Sequence, residues 1–202
     1  MEALLIDDHP MLNAGIVSIL EQTGLFTACI QAKSLGQAMS VIEQSKTLPS
    51  LVILDLLLGE DNGLDFLPLL ENHCRDRKLQ KPPVLVCSAI ADPFKVRSAL
   101  KLGASGFLSK TGGQAELLEA VGAVLGGKTY ISNELDSKLS RSANLYAKFT
   151  KQELVIIDLV KKNKTNKEIA TALFISTRTV ENYISRIYFK TGFSNREEVR
   201  AL

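Results

Sequence analysis

Short, wholly apolar runs alternate with amphipathic stretches over residues 1–126. The apolar runs predict five strands, which are Ala3–Ile6, Phe26–Gln31, Leu51–Leu54, Val84–Cys87 and Gly106–Leu108. Apolar residues at steps of three and four predict helices over Leu12–Gln22, Leu35–Gln44, Gly63–Glu71, Pro93–Leu102 and Gln114–Leu125. Strands that are apolar on both faces are typical of a parallel sheet covered by helices on both sides. We therefore predict an α/β fold with a doubly wound sheet, whose ligand crevice lies at the carboxyl ends of the strands.

The pattern changes after Gly126 and Gly127, which end the last of these helices. Residues 127–148 are polar and rich in Ser and Asn, and we interpret them as a linker with one short helix over Asn133–Leu139. From residue 149 the pattern is helical. Three segments have the spacing of a capping box, in which Ser or Thr precedes Glu by three residues; they start at Thr150, Thr165 and Ser194. With Ser176 as a fourth start, residues 149–202 are predicted to form a small domain of four helices.

Two of these helices have the proportions of a helix-turn-helix, with Lys167–Leu173 followed by a brief turn and then Thr177–Lys190. The apolar residues at helical spacing are predicted to face inward, and they are Ile169, Ala170, Leu173, Ile175, Val180, Ile184 and Ile187. The polar residues left outward on the second helix are Thr177, Arg178, Glu181, Asn182, Ser185 and Arg186. Such a face is either merely solvated or a surface that contacts DNA.

The charge is distributed unevenly between the two parts of the chain. Residues 1–148 have a net charge of −2, and residues 149–202 have a net charge of +4, which favours a nucleic-acid partner for the second part. The N-terminus lacks the basic region of a signal peptide, and no apolar run is long enough for a membrane span. Three cysteines without metal-binding spacing are typical of a reduced protein, so we predict a cytoplasmic location.

Chemically active side chains follow the predicted strands. Asp7 and Asp8 follow the first strand, Asp55 the third, Ser88 the fourth and Lys110 the fifth. Each of them taken separately is a common capping or solvated residue. Taken together, the adjacent carboxylates repel one another, and a hard cation such as Mg²⁺ or Mn²⁺ would relieve that repulsion. Such a cation would draw in an anionic phosphodonor, and Asp55 is the candidate nucleophile because a carboxylate can form an acyl phosphate.

This arrangement resembles the receiver domain of two-component response regulators. The matching segments are Asp7–Pro10, Asp55–Gly63, Ser88-Ala89 and Phe107–Lys110, and the match covers residues 1–126. The resemblance implies a five-stranded parallel sheet in the flavodoxin-like order 2-1-3-4-5. It also implies that Asp55 is the phosphorylated residue. It implies further that Asp8, Asp55 and the backbone carbonyl of Leu57 bind Mg²⁺, with Asp7 acting partly through water.

The same resemblance assigns the other residues of the pocket. Ser88 is expected to bind the phosphoryl group as the switch hydroxyl, and Lys110 to pair with a phosphoryl oxygen. Phe107 is expected either to turn inward with Ser88 or to be plain core. Two departures from the family pattern are Gly59 and Thr111–Gly113, where proline is often found. At the two positions that influence access of water to the acyl phosphate, this chain has Leu57 and Ile90, so we predict a long-lived phosphorylated state.

Residues 149–202 resemble the helix-turn-helix domain of NarL/FixJ regulators, also called the LuxR type. The matching segments are Asn166–Ala170, Leu173–Ser176, Thr179–Tyr183 and Lys190–Gly192. The resemblance implies a second helix that lies in the major groove of DNA. The candidate DNA contacts are Thr177, Arg178, Thr179, Glu181, Asn182, Ser185, Arg186 and Lys190. Family members often have Lys at the positions of Glu181 and Ser185, so weak binding or an unusual operator is expected. The fourth helix is expected to be short, which would curtail a dimer contact.

The sequence therefore predicts a response regulator with a receiver domain at 1–126, a linker at 127–148 and a DNA-binding domain at 149–202. A histidine kinase is the expected phosphodonor, and double-stranded DNA with two-fold symmetry and a second copy of the chain are the expected partners. We expect no enzymatic activity beyond slow autodephosphorylation. The alternatives are a regulator that acts without phosphorylation through protein partners, and a Mg²⁺-dependent phosphohydrolase.

Overall fold

The computed structural model describes residues 1–45, 47–89, 93–137, 139 and 148–200, with only the backbone at residue 94. The chain divides into two compact units, Met1–Asp136 and Ser137–Leu202. Among the described residues, no helix is both long enough and apolar enough to cross a membrane.

The first unit is built on a parallel sheet of six strands, which are β1 (Glu2–Ile6), β2 (Ala28–Ala32), β3 (Leu51–Leu54), β6 (Val84–Ser88), β7 (Gly106–Ser109) and β8 (Tyr130–Ile131). Their order in the sheet is β2-β1-β3-β6-β7-β8. The α/β class, the doubly wound sheet and the order of the five predicted strands are confirmed. The predicted number of strands was too low, because Tyr130–Ile131 adds a sixth strand beside β7. Two residues are too few to show a strand period, and they lie in a stretch that reads as a polar linker.

Helices cover both faces of this sheet. They are α1 (Pro10–Gln22), α2 (Leu35–Gln44), α3 (Phe66–Asp76, after a 3₁₀ turn at Gly63–Asp65), α4 (Pro93–Lys101) and α5 (Gln114–Leu125). Alternate strand residues such as Leu5, Ile53 and Leu85 pack with α1 and α5 in one apolar core. Their neighbours Leu4 and Leu54 are equally buried and point to the opposite face, because successive side chains alternate across a sheet. This two-sided burial explains the uninterrupted apolar runs.

A small hairpin lies between β3 and α3. Its strands are β4 (Leu57–Leu58) and β5 (Asp61–Asn62), and Gly59 in the turn between them has a φ of +61°. Proline cannot adopt a positive φ, so this turn explains why the chain departs from the proline often found there. After the hairpin the chain passes close to Asp55. A Cβ on Gly63 would lie 2.1 Å from the Asp55 carbonyl oxygen, so only glycine fits.

The second unit contains α6 (Lys151–Lys161), α7 (Asn166–Leu173), α8 (Thr177–Thr191) and α9 (Arg196–Arg200). Capping boxes begin α6 at Thr150 and α7 at Thr165, and Ser176 caps α8, as predicted. The capping box predicted from Ser194 to Glu197 is wrong by one residue. Asn195 accepts from the N–H of Glu198 instead. Asn and Ser are equally good caps and two glutamates are adjacent, so the sequence permits both registers.

The predicted inward face of the helix-turn-helix is confirmed. Its buried members are Ile169, Ala170, Val180, Ile184 and Ile187. Leu173 and Ile175 are half-buried and pack against them. The short helix predicted over Asn133–Leu139 is helical at residues 133–137 and 139, and residue 138 lies outside the described residues. Helix α9 is described as far as Arg200, and residues 201–202 lie outside the described residues.

An ion pair ties α8 to α6. The Nζ of Lys190 lies 2.7 Å from Oε2 of Glu153, whose side chain is 2% exposed. The same carboxylate oxygen accepts from the N–H of Thr150 at 2.7 Å. Burial acts to raise the pKa of Glu153, but the hydrogen bonds from Lys190 and Thr150 outweigh it and leave the pKa below its ordinary value. The pair therefore stabilises the second unit while the carboxylate is ionised.

The close approach at Gly63 predicts that Gly63→Ala destabilises the first unit by about 3 kcal/mol, because the backbone of Asp55 must move to admit a methyl group. Gly122→Ala is the matched control. Gly122 lies within α5 with open space around its Cα, so alanine there should stabilise by roughly 1 kcal/mol through helix propensity. Thermal unfolding of both variants measures this difference. Equal melting temperatures would contradict it.

The Glu153–Lys190 pair predicts that Lys190→Met destabilises α6 and α8 by roughly 2 kcal/mol near neutral pH, because a buried carboxylate loses its partner. Since the pKa of Glu153 is lowered in the folded protein, the stabilisation by this pair is present above the ordinary carboxyl pKa and disappears as pH falls through the folded value. The difference in stability between wild type and Lys190→Met should therefore become smaller as the pH falls.

Hydrogen exchange of the full-length chain, followed on peptides from α6 and α8, measures the loss in Lys190→Met. Lys162→Met is the control, because Lys162 pairs with Asp158 on an exposed surface and should change stability by less than about 0.5 kcal/mol. The assignment fails if the two variants exchange at the same rate.

Candidate functional site

Parallel pairing of β1 with β3 places two carboxylates side by side. Ile6 is in register with Leu54, so Asp7 and Asp55 follow at the same edge of the sheet. The N–H of Asp55 donates to the Ile6 carbonyl at 2.9 Å. The side chains of Asp7 and Asp55 are each 2% exposed. Two carboxylates this deeply buried require a neutralising group, because an unpaired buried charge is costly.

Lys110 supplies that group. It follows β7, and its Nζ lies 2.5 Å from Oδ2 of Asp7 and 2.6 Å from Oδ2 of Asp55. Desolvation acts to lower the pKa of Lys110, but the hydrogen bonds and negative charges of Asp55 and Asp7 leave the pKa above its ordinary value. The ammonium therefore stays protonated and bridges the two carboxylates. The other oxygen of Asp55, Oδ1, accepts from the N–H of Leu56 at 2.6 Å.

Asp8 and His9 complete the acidic cluster. Ligand atoms of Asp7, Asp8, His9 and Asp55 all lie within 4.8 Å of one another. Oδ1 of Asp8 is buried, and Nδ1 of His9 lies 2.9 Å from it without hydrogen-bond geometry. A buried carboxylate oxygen beside two other carboxylates fits a hard divalent cation, which prefers oxygen ligands. The predicted acidic residues are thus brought together, and they could hold a metal ion.

The sequence did not identify His9 as part of this cluster. Its Nδ1 lies 3.1 Å from Oδ1 of Asp7 and 2.9 Å from Oδ1 of Asp8. Its adjacency to Asp7 and Asp8 was the available signal. Gly63 was also missed as a requirement of the pocket, although it was part of the matching segment, because its close approach to Asp55 is a property of the folded chain.

Ser88 and Phe107 lie in the strands that lead to this pocket, and both are fully buried. The carbonyl of Ser88 accepts from the N–H of Lys110 at 3.1 Å, so the two residues are joined through the ends of β6 and β7. Phe107 lies in β7, opposite Val86 on one side and Ile131 on the other. Its position fits both the inward state of a switch and a plain core residue.

Three further features bear on the chemistry of the pocket. Burial raises the pKa of the Cys87 thiol to about 12, so it is no thiolate nucleophile. The Leu57 side chain is 41% exposed, and its backbone pairs with Asn62 in the hairpin. Ile90, the second apolar residue predicted to limit access of water, lies outside the described residues.

The second candidate site is the outer face of α8. Six of the eight predicted DNA contacts are exposed, and they are Thr177, Arg178, Glu181, Asn182, Ser185 and Arg186. The other two are half-buried: Thr179, whose hydroxyl lies 2.8 Å from that of Ser176, and Lys190, which pairs with Glu153. The guanidinium of Arg186 lies 5.7 Å from the centre of the Tyr183 ring, which holds it at the surface.

Two known protein families match the two parts of the chain. The family described as response regulator receiver domain matches residues 3–122. The family described as bacterial regulatory proteins, luxR family, matches residues 147–201. Together these two matches span nearly the whole chain.

Relatives with both halves are similar over almost their full length. The transcriptional regulatory protein LiaR of Bacillus subtilis is 30% identical, over 98% of this chain and 94% of its own. The transcriptional activator protein ExaE of Pseudomonas putida is 32% identical over the same shares of the two chains. A structure of RcsB from Salmonella enterica bound to promoter DNA has the same fold, with a TM-score of 0.74 at 20% identity, over 100% of this chain and 96% of that chain. The chain therefore belongs to the response regulators that join a receiver domain to a luxR-family DNA-binding domain.

Proposed function

We propose that Asp55 accepts a phosphoryl group and that this modification controls DNA binding by α8. The observation that supports the proposal best is the Lys110 ammonium, which bridges the buried carboxylates of Asp7 and Asp55. Such a group is already placed to pair with an anion attached to Asp55. The proposed domains are the receiver at residues 1–126, the linker at 127–148 and the DNA-binding domain at 149–202.

The transfer needs little from the protein beyond placement and charge. A carboxylate oxygen of Asp55 attacks the phosphorus of a phosphohistidine on a partner kinase, or of a small phosphodonor. The bond from phosphorus to the donor breaks, and its electron pair leaves with the donor. The product is an acyl phosphate on Asp55. Mg²⁺, held by Asp7, Asp8, Asp55 and the Leu57 carbonyl, would neutralise charge on the transferring group.

Modification changes the partners of Lys110. In the present arrangement its ammonium is shared between Asp7 and Asp55. A phosphoryl group on Asp55 offers stronger acceptors, so we propose that Lys110 then pairs with a phosphoryl oxygen. Ser88 would donate its hydroxyl to another oxygen, and Phe107 would follow Ser88. The buried positions of both residues support this assignment, since a small shift there has to move packed neighbours.

Helix α8 is the proposed reading element. Its N-terminus is capped by Ser176 and its exposed face carries Arg178, Asn182 and Arg186. Asn is suited to adenine edges and Arg to guanine edges or phosphates. Glu181 on the same face can accept from a cytosine amino group. LiaR and ExaE are named as transcriptional regulators, and RcsB binds promoter DNA in the presence of a phosphomimetic. These relatives support a DNA target here.

We also propose that the active form is a homodimer on a two-fold DNA site. RcsB is described as dimers bound to DNA, and a helix-turn-helix protein of this kind reads one half-site with each protomer. A phosphohydrolase is less well supported, because His9 is the one histidine that the described residues bring to the pocket. His9 hydrogen-bonds to Asp7, so it is not placed to act as an independent general acid or base in the turnover of an external ester.

The proposal predicts that a small phosphodonor strengthens DNA binding by wild type at least about fivefold, which is the low end of typical coupling between two sites. Asp55→Asn should abolish the response because an amide cannot form the acyl phosphate. Affinity is measured by fluorescence anisotropy on DNA selected by the treated wild type.

Asp76→Asn is the matched control for this experiment. Asp76 lies at the exposed end of α3, with a side chain that is 71% exposed, and its loss should leave the response intact. If Asp55→Asn responds to phosphodonor like wild type, Asp55 is not the switch. The chain would then be a regulator that acts without phosphorylation.

The exposed position of Leu57 predicts that Leu57→Asn speeds dephosphorylation by about tenfold, because an amide there can orient the attacking water. The rate is followed by loss of radiolabelled phosphate from the protein. Leu69→Asn is the control, since Leu69 on α3 is exposed to a similar extent, 43% against 41%. Equal lifetimes in wild type and Leu57→Asn would show that the apolar residue does not protect the acyl phosphate.

A further inference from the structure

The outer face of α8 carries an exposed aromatic ring that none of the assignments above uses. Phe189 is 91% exposed and lies in the last turn of α8 (Thr177–Thr191). It is four residues after Ser185 and seven after Asn182, and residues at these steps lie on one face of a helix. Phe189 therefore continues the row of polar residues assigned to DNA.

The fold does not explain this ring. The core side of α8 just before this turn is filled by Ile184 and Ile187, which are 8% and 0% exposed. A ring that is 91% exposed contributes little to that core. One exposed apolar residue is ordinary on a protein surface, but this one lies at the end of a face that is otherwise polar. Its position thus points to the surface that α8 contacts.

We propose that Phe189 packs against the C5-methyl group of a thymine in the major groove. This inference rests on the proposed function, in which α8 enters that groove. The thymine methyl is the one apolar group that base edges present there, and phenylalanine is among the side chains that contact it. Phe189 would thus select thymine at one position of each half-site.

The geometry of the helix gives the position of that base pair. Seven residues at a rise of about 1.5 Å each separate Asn182 from Phe189 by roughly 10 Å along the axis. Base pairs are spaced by about 3.4 Å, so the thymine lies about three base pairs from the one that Asn182 contacts. Arg186, one turn before Lys190 and beside Phe189, is suited to the phosphates that flank the same base.

A protein partner fits this surface less well. A stable protein interface buries about 800 Å² on each side, and the exposed face of α8 offers a single large apolar side chain among polar ones. Residues 149–202 carry a net charge of +4, which matches the phosphates on both sides of a groove. The chemistry around Phe189 therefore favours DNA.

Replacement of single thymines by deoxyuridine tests the proposal, because it removes only the methyl group. The full-length chain, treated with phosphodonor, first selects its site from random duplex DNA. Each thymine of that site is then replaced in turn. Wild type should lose about fourfold in affinity at one position per half-site, which corresponds to one buried methyl-sized group. Phe189→Ala should bind the thymine and deoxyuridine duplexes equally.

Two matched variants complete the experiment. Phe174→Ala removes a ring that is 96% exposed in the same unit but lies in the turn before α8, and it should keep the wild-type penalty. Phe189→Leu keeps an apolar side chain, so it should keep most of the loss of affinity that wild type shows with deoxyuridine. Circular dichroism and sedimentation measure whether each variant keeps the fold and the self-association of wild type.

The possible results distinguish failure of DNA binding by α8 from failure of the contact between Phe189 and thymine. If wild type selects no DNA, the proposed function fails and the inference fails with it. If wild type selects a site but no deoxyuridine position weakens binding, or Phe189→Ala shows the same penalty, only the thymine contact is overturned. A change in self-association of Phe189→Ala without a change in base preference would assign the ring to a second copy instead and would also overturn it.

Discussion

Two carboxylates buried side by side at the ends of β1 and β3 constrain the rest of the first unit. Their ligand atoms lie within 4.8 Å of each other, and at such a distance the repulsion is about 3 kcal/mol in the effective dielectric of a protein. Lys110 offsets it by lying within 2.6 Å of both. The ammonium reaches both carboxylates because β7 ends beside β6. The backbone of Asp55 is held in turn by the close passage of the chain at Gly63. The local charge balance thus depends on the whole sheet.

A charge balance held by one shared cation is also easily changed. Adding a phosphoryl group to Asp55 increases the negative charge and offers Lys110 new acceptors, so its bond to Asp7 competes with a better one. The backbone of Lys110 is joined to Ser88, and that of Phe107 to Ser132 beyond β8. A shift of these residues would therefore reach the edge strand β8, which precedes the second unit in sequence. The sixth strand makes Phe107 an interior residue of the sheet.

Much of this could be predicted from the sequence, because the relevant signals are local. The strands β1, β3 and β7 contain short apolar runs, and Asp7, Asp55 and Lys110 follow these strands directly. The capping boxes at Thr150 and Thr165 need only four residues each. What the sequence missed depends on residues that are distant along the chain: Lys190 pairs with Glu153 across 37 residues. The strand Tyr130–Ile131 exists only because β7 offers it an edge, and Gly63 matters only because the chain folds back on Asp55.

The partner of Lys190 changes the interpretation of the second unit. Its ammonium neutralises Glu153, and Glu181 adds a negative charge to the outer face of α8, where Arg178 and Arg186 are the exposed cations. Fewer phosphate contacts from this helix mean a smaller electrostatic share of the affinity. In the proposed homodimer, base contacts and the pairing of two half-sites would then supply more of it. When each half-site binds weakly, joining two protomers raises the overall affinity by a large factor. In the homodimer proposed above, a weakly basic reading helix would make DNA binding depend strongly on dimerisation, which is the step that phosphorylation of Asp55 is proposed to control.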